Sequence, residues 1–121
     1  PQCDVLSIHC PVTLETSGLL NAERIALLPE GAIVVNTARG AVVDDKALIA
    51  ALKTGAIWAA GLDVFNGEPD NIDPEYCKLE NVFLLPHIGS ATEHARNAMG
   101  FRALDNLDAI FTGHEPVDRV A

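Results

Sequence analysis

Ala32-Ile33-Val34-Val35 runs directly into Asn36-Thr37-Ala38-Arg39-Gly40, and the same pattern occurs twice more. Ile57-Trp58-Ala59-Ala60-Gly61-Leu62 leads into Asp63-Val64-Phe65-Asn66-Gly67-Glu68-Pro69. Val82-Phe83-Leu84-Leu85 leads into Pro86-His87-Ile88-Gly89-Ser90. Each apolar run has the length and composition of a β-strand, and each sequel has the polar, Gly- and Pro-bearing composition of a loop. In an open parallel α/β sheet, ligands bind just beyond the carboxyl ends of the strands. That rule gathers an Arg, a Glu and a His along one edge of one sheet.

The segments between these runs read as helices. Asn21 suits an N-cap for a helix over residues 22–28, with Leu20 and Ile25 at the two positions of a hydrophobic staple. Pro29-Glu30-Gly31 stops it. Asp44 caps a second helix reaching Thr54, with Leu48, Ile49 and Leu52 at helical spacing and Gly55 as its terminator. Upstream, Val5-Leu6-Ser7-Ile8 is a further strand, closed by the tip His9-Cys10-Pro11. Downstream, residues 66–81 read as a loop. Ser90-Ala91-Thr92-Glu93 has the form of a capping box for a long helix to about Thr112, with Ala95, Met99, Leu107, Ile110 and Phe111 on one side as core or interface. Strands alternating with helices predict an α/β fold with a parallel sheet. Strands apolar throughout predict a sheet covered on both faces, with Trp58 as core. Four strands and three crossovers make about half of a doubly wound sheet.

The chain has 121 residues, 49% of them hydrophobic, enough for one real core. Its formal net charge of −9 argues against binding nucleic-acid phosphates or an anionic membrane surface. The three cysteines, Cys3, Cys10 and Cys77, fit a reduced cytoplasmic protein better than a disulfide scaffold. His9, Cys10, Cys77 and His87 match no usual zinc spacing, so no metal is expected.

A fixed cation, a carboxylate and an imidazole in one cleft can bind an acid and move a proton. Each residue also has a plainer reading. His87 alone could be a core histidine at a strand end, and Glu68 an ordinary loop carboxylate before Pro69. Arg39 could pair with Asp44 or Asp45, and Asp63 could be a solvated strand-end residue.

The tips, in this order and spacing, resemble the D-isomer-specific 2-hydroxyacid dehydrogenase family. The matching stretches are His9-Cys10-Pro11, Asn36-Thr37-Ala38-Arg39-Gly40, Gly61-Leu62-Asp63-Val64-Phe65, Gly67-Glu68-Pro69 and Pro86-His87-Ile88-Gly89-Ser90-Ala91-Thr92. The match covers the chain from Asp4 to about Gly113, and within the family it looks most like the glyoxylate/hydroxypyruvate reductases. The resemblance implies that residues 1–89 are the C-terminal half of a Rossmann-like NAD- or NADP-binding domain. Residues 90–121 would be a long helix and tail returning toward a substrate domain. It implies a catalytic trio of His87 as proton carrier, Glu68 as its partner and Arg39 as the group holding substrate. It also implies that Asp63 and the carbonyl of Ala38 bond the nicotinamide carboxamide, that Cys10, Pro11 and Thr13 line the ribose side, and that Gly89 lets the backbone approach the ring.

The Gly-rich pyrophosphate turn expected of the family does not occur in these residues, and the chain opens almost at once on a strand. Both features suggest a piece of something longer, which alone would bind dinucleotide poorly, catalyse nothing and self-associate. The resemblance implies a homodimer for the full-length protein. It also leaves open a dinucleotide-sensing corepressor that keeps the fold without turning over substrate.

Overall fold

Parallel pairing follows from the strand–helix alternation, because each strand must be re-entered from the same end. The computed structural model describes residues 2–120. Strands β1 (Val5–Ile8), β2 (Ala32–Asn36), β3 (Ile57–Leu62) and β4 (Val82–Leu84) form one parallel sheet in the order β1-β2-β3-β4. Helix α1 (Ala22–Ile25) follows β1, α2 (Asp45–Thr54) follows β2, and α3 (Glu93–Phe111) follows β4. The chain divides into two units, Pro1–Ile88 and Gly89–Ala121. The first holds the sheet, α1 and α2; the second holds α3.

Within the first unit the sheet is buried on one face. Register aligns Leu6, Val34, Ala60 and Val82 in one row and Ile8, Asn36, Leu62 and Leu84 in the next. Val34 is fully buried and Ile8, Ala60 and Leu62 nearly so, packed with Ile25 of α1 and Leu48, Ile49 and Leu52 of α2. Fully burying one such side chain contributes about 1.5–3 kcal/mol. The opposite face, with Val5, Ser7, Ile33, Val35, Ala59, Gly61 and Phe83, stays partly or fully exposed, Phe83 to 68%. The expectation of two covered faces is therefore corrected for this unit, since both its helices lie on one side. Trp58 is 65% exposed and not core. It sits at the β3 entrance, where the register with β2 shifts and before pairing with β4 begins at Ala60.

The caps follow the sequence closely. Asn21 accepts from the Arg24 amide at 3.0 Å, and the staple residues Leu20 and Ile25 are both buried. α1 closes at Ile25 rather than Leu28, its last residues forming turns. Asp44 accepts from the Ala47 amide at 3.1 Å, and Gly55 ends α2 at φ 80°, where an L side chain would be strained. At α3 the capping box is corrected. Thr92, not Ser90, is the N-cap, its hydroxyl accepting from the Ala95 amide at 3.1 Å. No residue of α3 is buried, so the core reading of its apolar side is not met, and Met99, Leu107, Ile110 and Phe111 are exposed.

The 66–81 segment is more structured than a plain loop. A 3-10 turn (Tyr76–Lys78) inserts Tyr76 into the core at 1% exposure, edge-on to Phe65. The Tyr76 hydroxyl donates to Asp45 Oδ1 at 2.8 Å, and Asn66 Nδ2 donates to Asp45 Oδ2 at 2.9 Å. At the surface, Glu75 accepts from Lys53 of α2 at 2.5 Å and from Lys78. These lysines hold its carboxyl down to about 2. A depressed carboxyl stabilises the fold above its ordinary range and loses that contribution as pH falls toward about 2. Being exposed, the contribution is small and salt-sensitive.

Burial and the Asp45 hydrogen bond push the Tyr76 phenol well above its usual range. A raised phenol leaves stability intact below about pH 10, the unfolded value, and erodes it as pH rises beyond, because only the unfolded chain ionises freely. Tyr76→Phe is expected to cost about 1–3 kcal/mol in urea unfolding at neutral pH, since Asp45 loses a donor. It should also flatten the fall in stability above pH 10. An unchanged alkaline slope would show that Tyr76 does not carry it.

Candidate active site

Cys10, Pro11, Ala38, Arg39, Asp63, Glu68 and His87 all lie in the segments that follow the carboxyl ends of β1, β2, β3 and β4. β2 ends in Asn36, whose side chain turns the chain back on itself. Asn36 Oδ1 accepts from the Ala38 amide at 3.1 Å and Nδ2 donates to the Arg39 carbonyl at 3.0 Å. Arg39 is exposed, and its Nη1 donates to the Ala38 carbonyl at 2.6 Å. Among the described residues it forms no ion pair. The expected alternative partners are engaged elsewhere, Asp44 in capping α2 and Asp45 with Asn66 and Tyr76.

β3 ends beside Asp63, which is 5% exposed and so not the solvated residue of the plainer reading. Its amide donates to the Asn36 carbonyl at 3.0 Å, tying the β2 and β3 tips together. Its Oδ1 accepts from the Ile88 amide at 2.8 Å, reaching across to the segment after β4. Further along, Glu68 Oε1 lies 3.0 Å from His87 Nδ1. The Glu68 side chain is 26% exposed and that of His87 46%. His87 has φ +53°, a left-handed backbone that costs a non-glycine residue on the order of 1 kcal/mol. The Ile88–Asp63 bond and the Glu68 contact flank that strained residue and hold it.

Two hollows open at this edge. One, of about 680 Å³, lies between residues 9–12 and 37–39, so Cys10 and Pro11 face Ala38 and Arg39 across it. The other, of about 320 Å³, is lined by Phe65, Glu68, Pro69, Ile72, Pro86 and His87. Thr13 lies outside both, its hydroxyl donating to Glu15 Oε2 at 2.7 Å within a surface turn. Gly89 begins the second unit, two residues past His87. His9 bonds Ser7 Oγ at 2.7 Å.

The sequence reading missed two residues. Asn36 had no assigned role, although an amide closing an apolar strand four residues before a glycine is an available signal. Asn66 bridges the Val43 carbonyl at 3.1 Å and Asp45, joining the β3 loop to the start of α2. Nothing in its local sequence marks it.

A parallel α/β sheet whose loops bring a cation, a histidine–carboxylate pair and a buried Asp to one edge has the architecture of a Rossmann-like domain. The chain belongs to the D-isomer specific 2-hydroxyacid dehydrogenase family, whose NAD binding domain it matches over residues 1–89. It is 51% identical over 107 residues to glycerate dehydrogenase of Hyphomicrobium methylovorum, covering 88% of this chain and 33% of that protein. It is 48% identical over 112 residues to glyoxylate/hydroxypyruvate reductase B of Erwinia tasmaniensis, covering 93% and 35%. Among solved structures, the NADPH-dependent glyoxylate/hydroxypyruvate reductase of Sinorhizobium meliloti, in complex with NADP and malonate, superposes with a TM-score of 0.91 at 41% identity. That match covers 98% of this chain and 37% of that one. The chain thus spans about a third of the length of these relatives.

Proposed function

We propose that the complete protein is an oxidoreductase that reduces a small 2-keto acid of the glyoxylate or hydroxypyruvate type to a D-2-hydroxy acid with NADH or NADPH. The observation that carries this reading is the His87–Glu68 pair at 3.0 Å, on the same sheet edge as an exposed arginine that pairs with no carboxylate among the described residues. The names of the relatives supply the substrate class.

The residues present suit a nicotinamide. The Ala38 carbonyl and the buried Asp63 carboxylate are acceptors that match a carboxamide's donors, and Cys10 and Pro11 offer a half-apolar wall. Bound there, the cofactor would supply the reducing equivalent. Arg39 exchanges its bond to the Ala38 carbonyl for a forked contact with the substrate carboxylate, and its charge polarises the keto group. Glu68 takes Nδ1 of His87 and thereby fixes the ring, leaving Nε2 to protonate the keto oxygen or to recover that proton in the reverse direction.

In the complete protein, residues 1–89 serve as half of the dinucleotide domain, and residues 90–121 return toward the substrate domain. The exposed apolar residues of α3, Met99 and Leu107 among them, support a homodimer. Free thiols at Cys3, Cys10 and Cys77 support a cytoplasmic location, and no helix among the described residues is long and apolar enough to cross a membrane. The test is an assay of the complete protein with glyoxylate and with hydroxypyruvate, each with NADH and NADPH. Oxidation of either cofactor that depends on keto acid is expected. None in all four combinations would overturn the reading.

A further inference from the structure

We propose that Asn36 is a positioning residue for substrate binding, setting the Arg39 guanidinium through the backbone on both sides of it; this rests on the role of Arg39 given above. Among the described residues, Asn36 and Asp63 are the buried polar side chains apart from the Tyr76 phenol. Asn36 is 1% exposed, in register with Ile8 on one side and Leu62 on the other. An aliphatic side chain would suit that row better, because Asn is depleted in strands and an amide loses hydration on burial. The amide is compatible with burial because its donor and its acceptor are both used, and both are used on the same short loop.

Oδ1 takes the Ala38 amide and Nδ2 holds the Arg39 carbonyl. One side chain therefore pins the backbone before and after the Arg39 Cα, fixing it in an extended conformation at φ −151°, ψ 145°. The carbonyl of Asn36 in turn accepts the Asp63 amide, so the clamp is referenced to the neighbouring strand tip. Among the described residues Arg39 has no carboxylate partner to orient it, and its only side-chain bond runs to the Ala38 carbonyl, itself part of the clamped loop. The direction of the guanidinium is thus inherited from backbone that Asn36 holds. An aspartate could accept from Ala38 but not donate to Arg39, and a hydroxyl is too short to span both.

The experiment is a double-mutant cycle in the complete protein, combining Asn36→Ala with Arg39→Ala and reading KM for glyoxylate, kcat and NAD(P)H affinity. Asn36→Thr runs in parallel as the variant that best suits a strand and keeps the fold. Either Asn36 variant is expected to raise KM for the keto acid roughly tenfold or more, since small misplacements of a binding group are costly. NAD(P)H affinity should fall by a much smaller factor than KM rises, because the Ala38 carbonyl is one cofactor contact among several. In the Arg39→Ala background the same substitutions should add less than about twofold, because the group they position is gone. Effects that multiply across the cycle, a KM unmoved by both variants, or a loss of cofactor affinity as large as the rise in KM would each overturn the proposal. If Arg39→Ala alone leaves KM and kcat intact, it is the assignment of Arg39 that fails.

Discussion

His87→Asn in the complete protein is expected to lower turnover by about a hundred- to ten-thousandfold, with NAD(P)H affinity unchanged. Asparagine is the informative replacement because position 87 has a left-handed backbone, which Asn tolerates better than other non-glycine residues. The loop therefore keeps its course and only the chemistry is removed. An amide can still donate a hydrogen bond to the keto oxygen, but it cannot surrender the proton. Turnover by stopped-flow and cofactor binding by fluorescence titration separate the two effects. A variant that turned over at the parent rate would remove His87 from the reaction and leave its contact with Glu68 structural.

Gly40→Ala is expected to destabilise the fold by about 3 kcal/mol and to weaken keto-acid binding at the same time. A Cβ at Gly40 would lie 2.0 Å from the carbonyl carbon of Phe65, 2.3 Å from its oxygen and 2.3 Å from the Asn66 nitrogen. All three are backbone atoms, so no side chain can swing aside. Relief requires the loop after β2 to move away from the loop after β3. Arg39 precedes Gly40, and Glu68 follows Phe65 by three residues. A forced separation thus shifts the cation relative to the histidine–carboxylate pair. Denaturation midpoints and KM for glyoxylate check the two parts, and a variant as stable as the parent would show that the loops are not in contact.

Much of the framework was legible because it depends on local rules. Four strands, their parallel pairing and the caps at Asn21, Asp44 and Gly55 follow from apolar runs, short polar side chains and one glycine at positive φ. What local rules could not supply was which layer lies on which face. Apolar residues at Ile33, Val35 and Phe83 look the same in sequence whether or not something covers them. Thr92 displaced Ser90 as a cap because two adjacent candidates compete, and geometry chooses between them. At the site, the motifs located Arg39, Glu68 and His87, and the Glu68–His87 contact was expected from the resemblance. The anchoring by Asn36, Asn66 and Asp63 was not, because each reaches across a turn or to another strand.

The Tyr76 insertion also bears on proteolysis. Residues 66–81 form a long polar surface segment containing Lys78, the kind of stretch a trypsin-like protease attacks. A protease needs an extended substrate, yet Lys78 sits in a tight turn whose amide is held by the Glu75 carbonyl, two residues from a ring buried at 1% exposure. Cleavage there must wait for Tyr76 to leave the core. Glu68 lies within the same segment, so an opening that extends the chain at Lys78 is expected to loosen the carboxylate paired with His87. Resistance to nicking at Lys78 and the seating of Glu68 against His87 are thus expected to share one anchor, the buried Tyr76 ring.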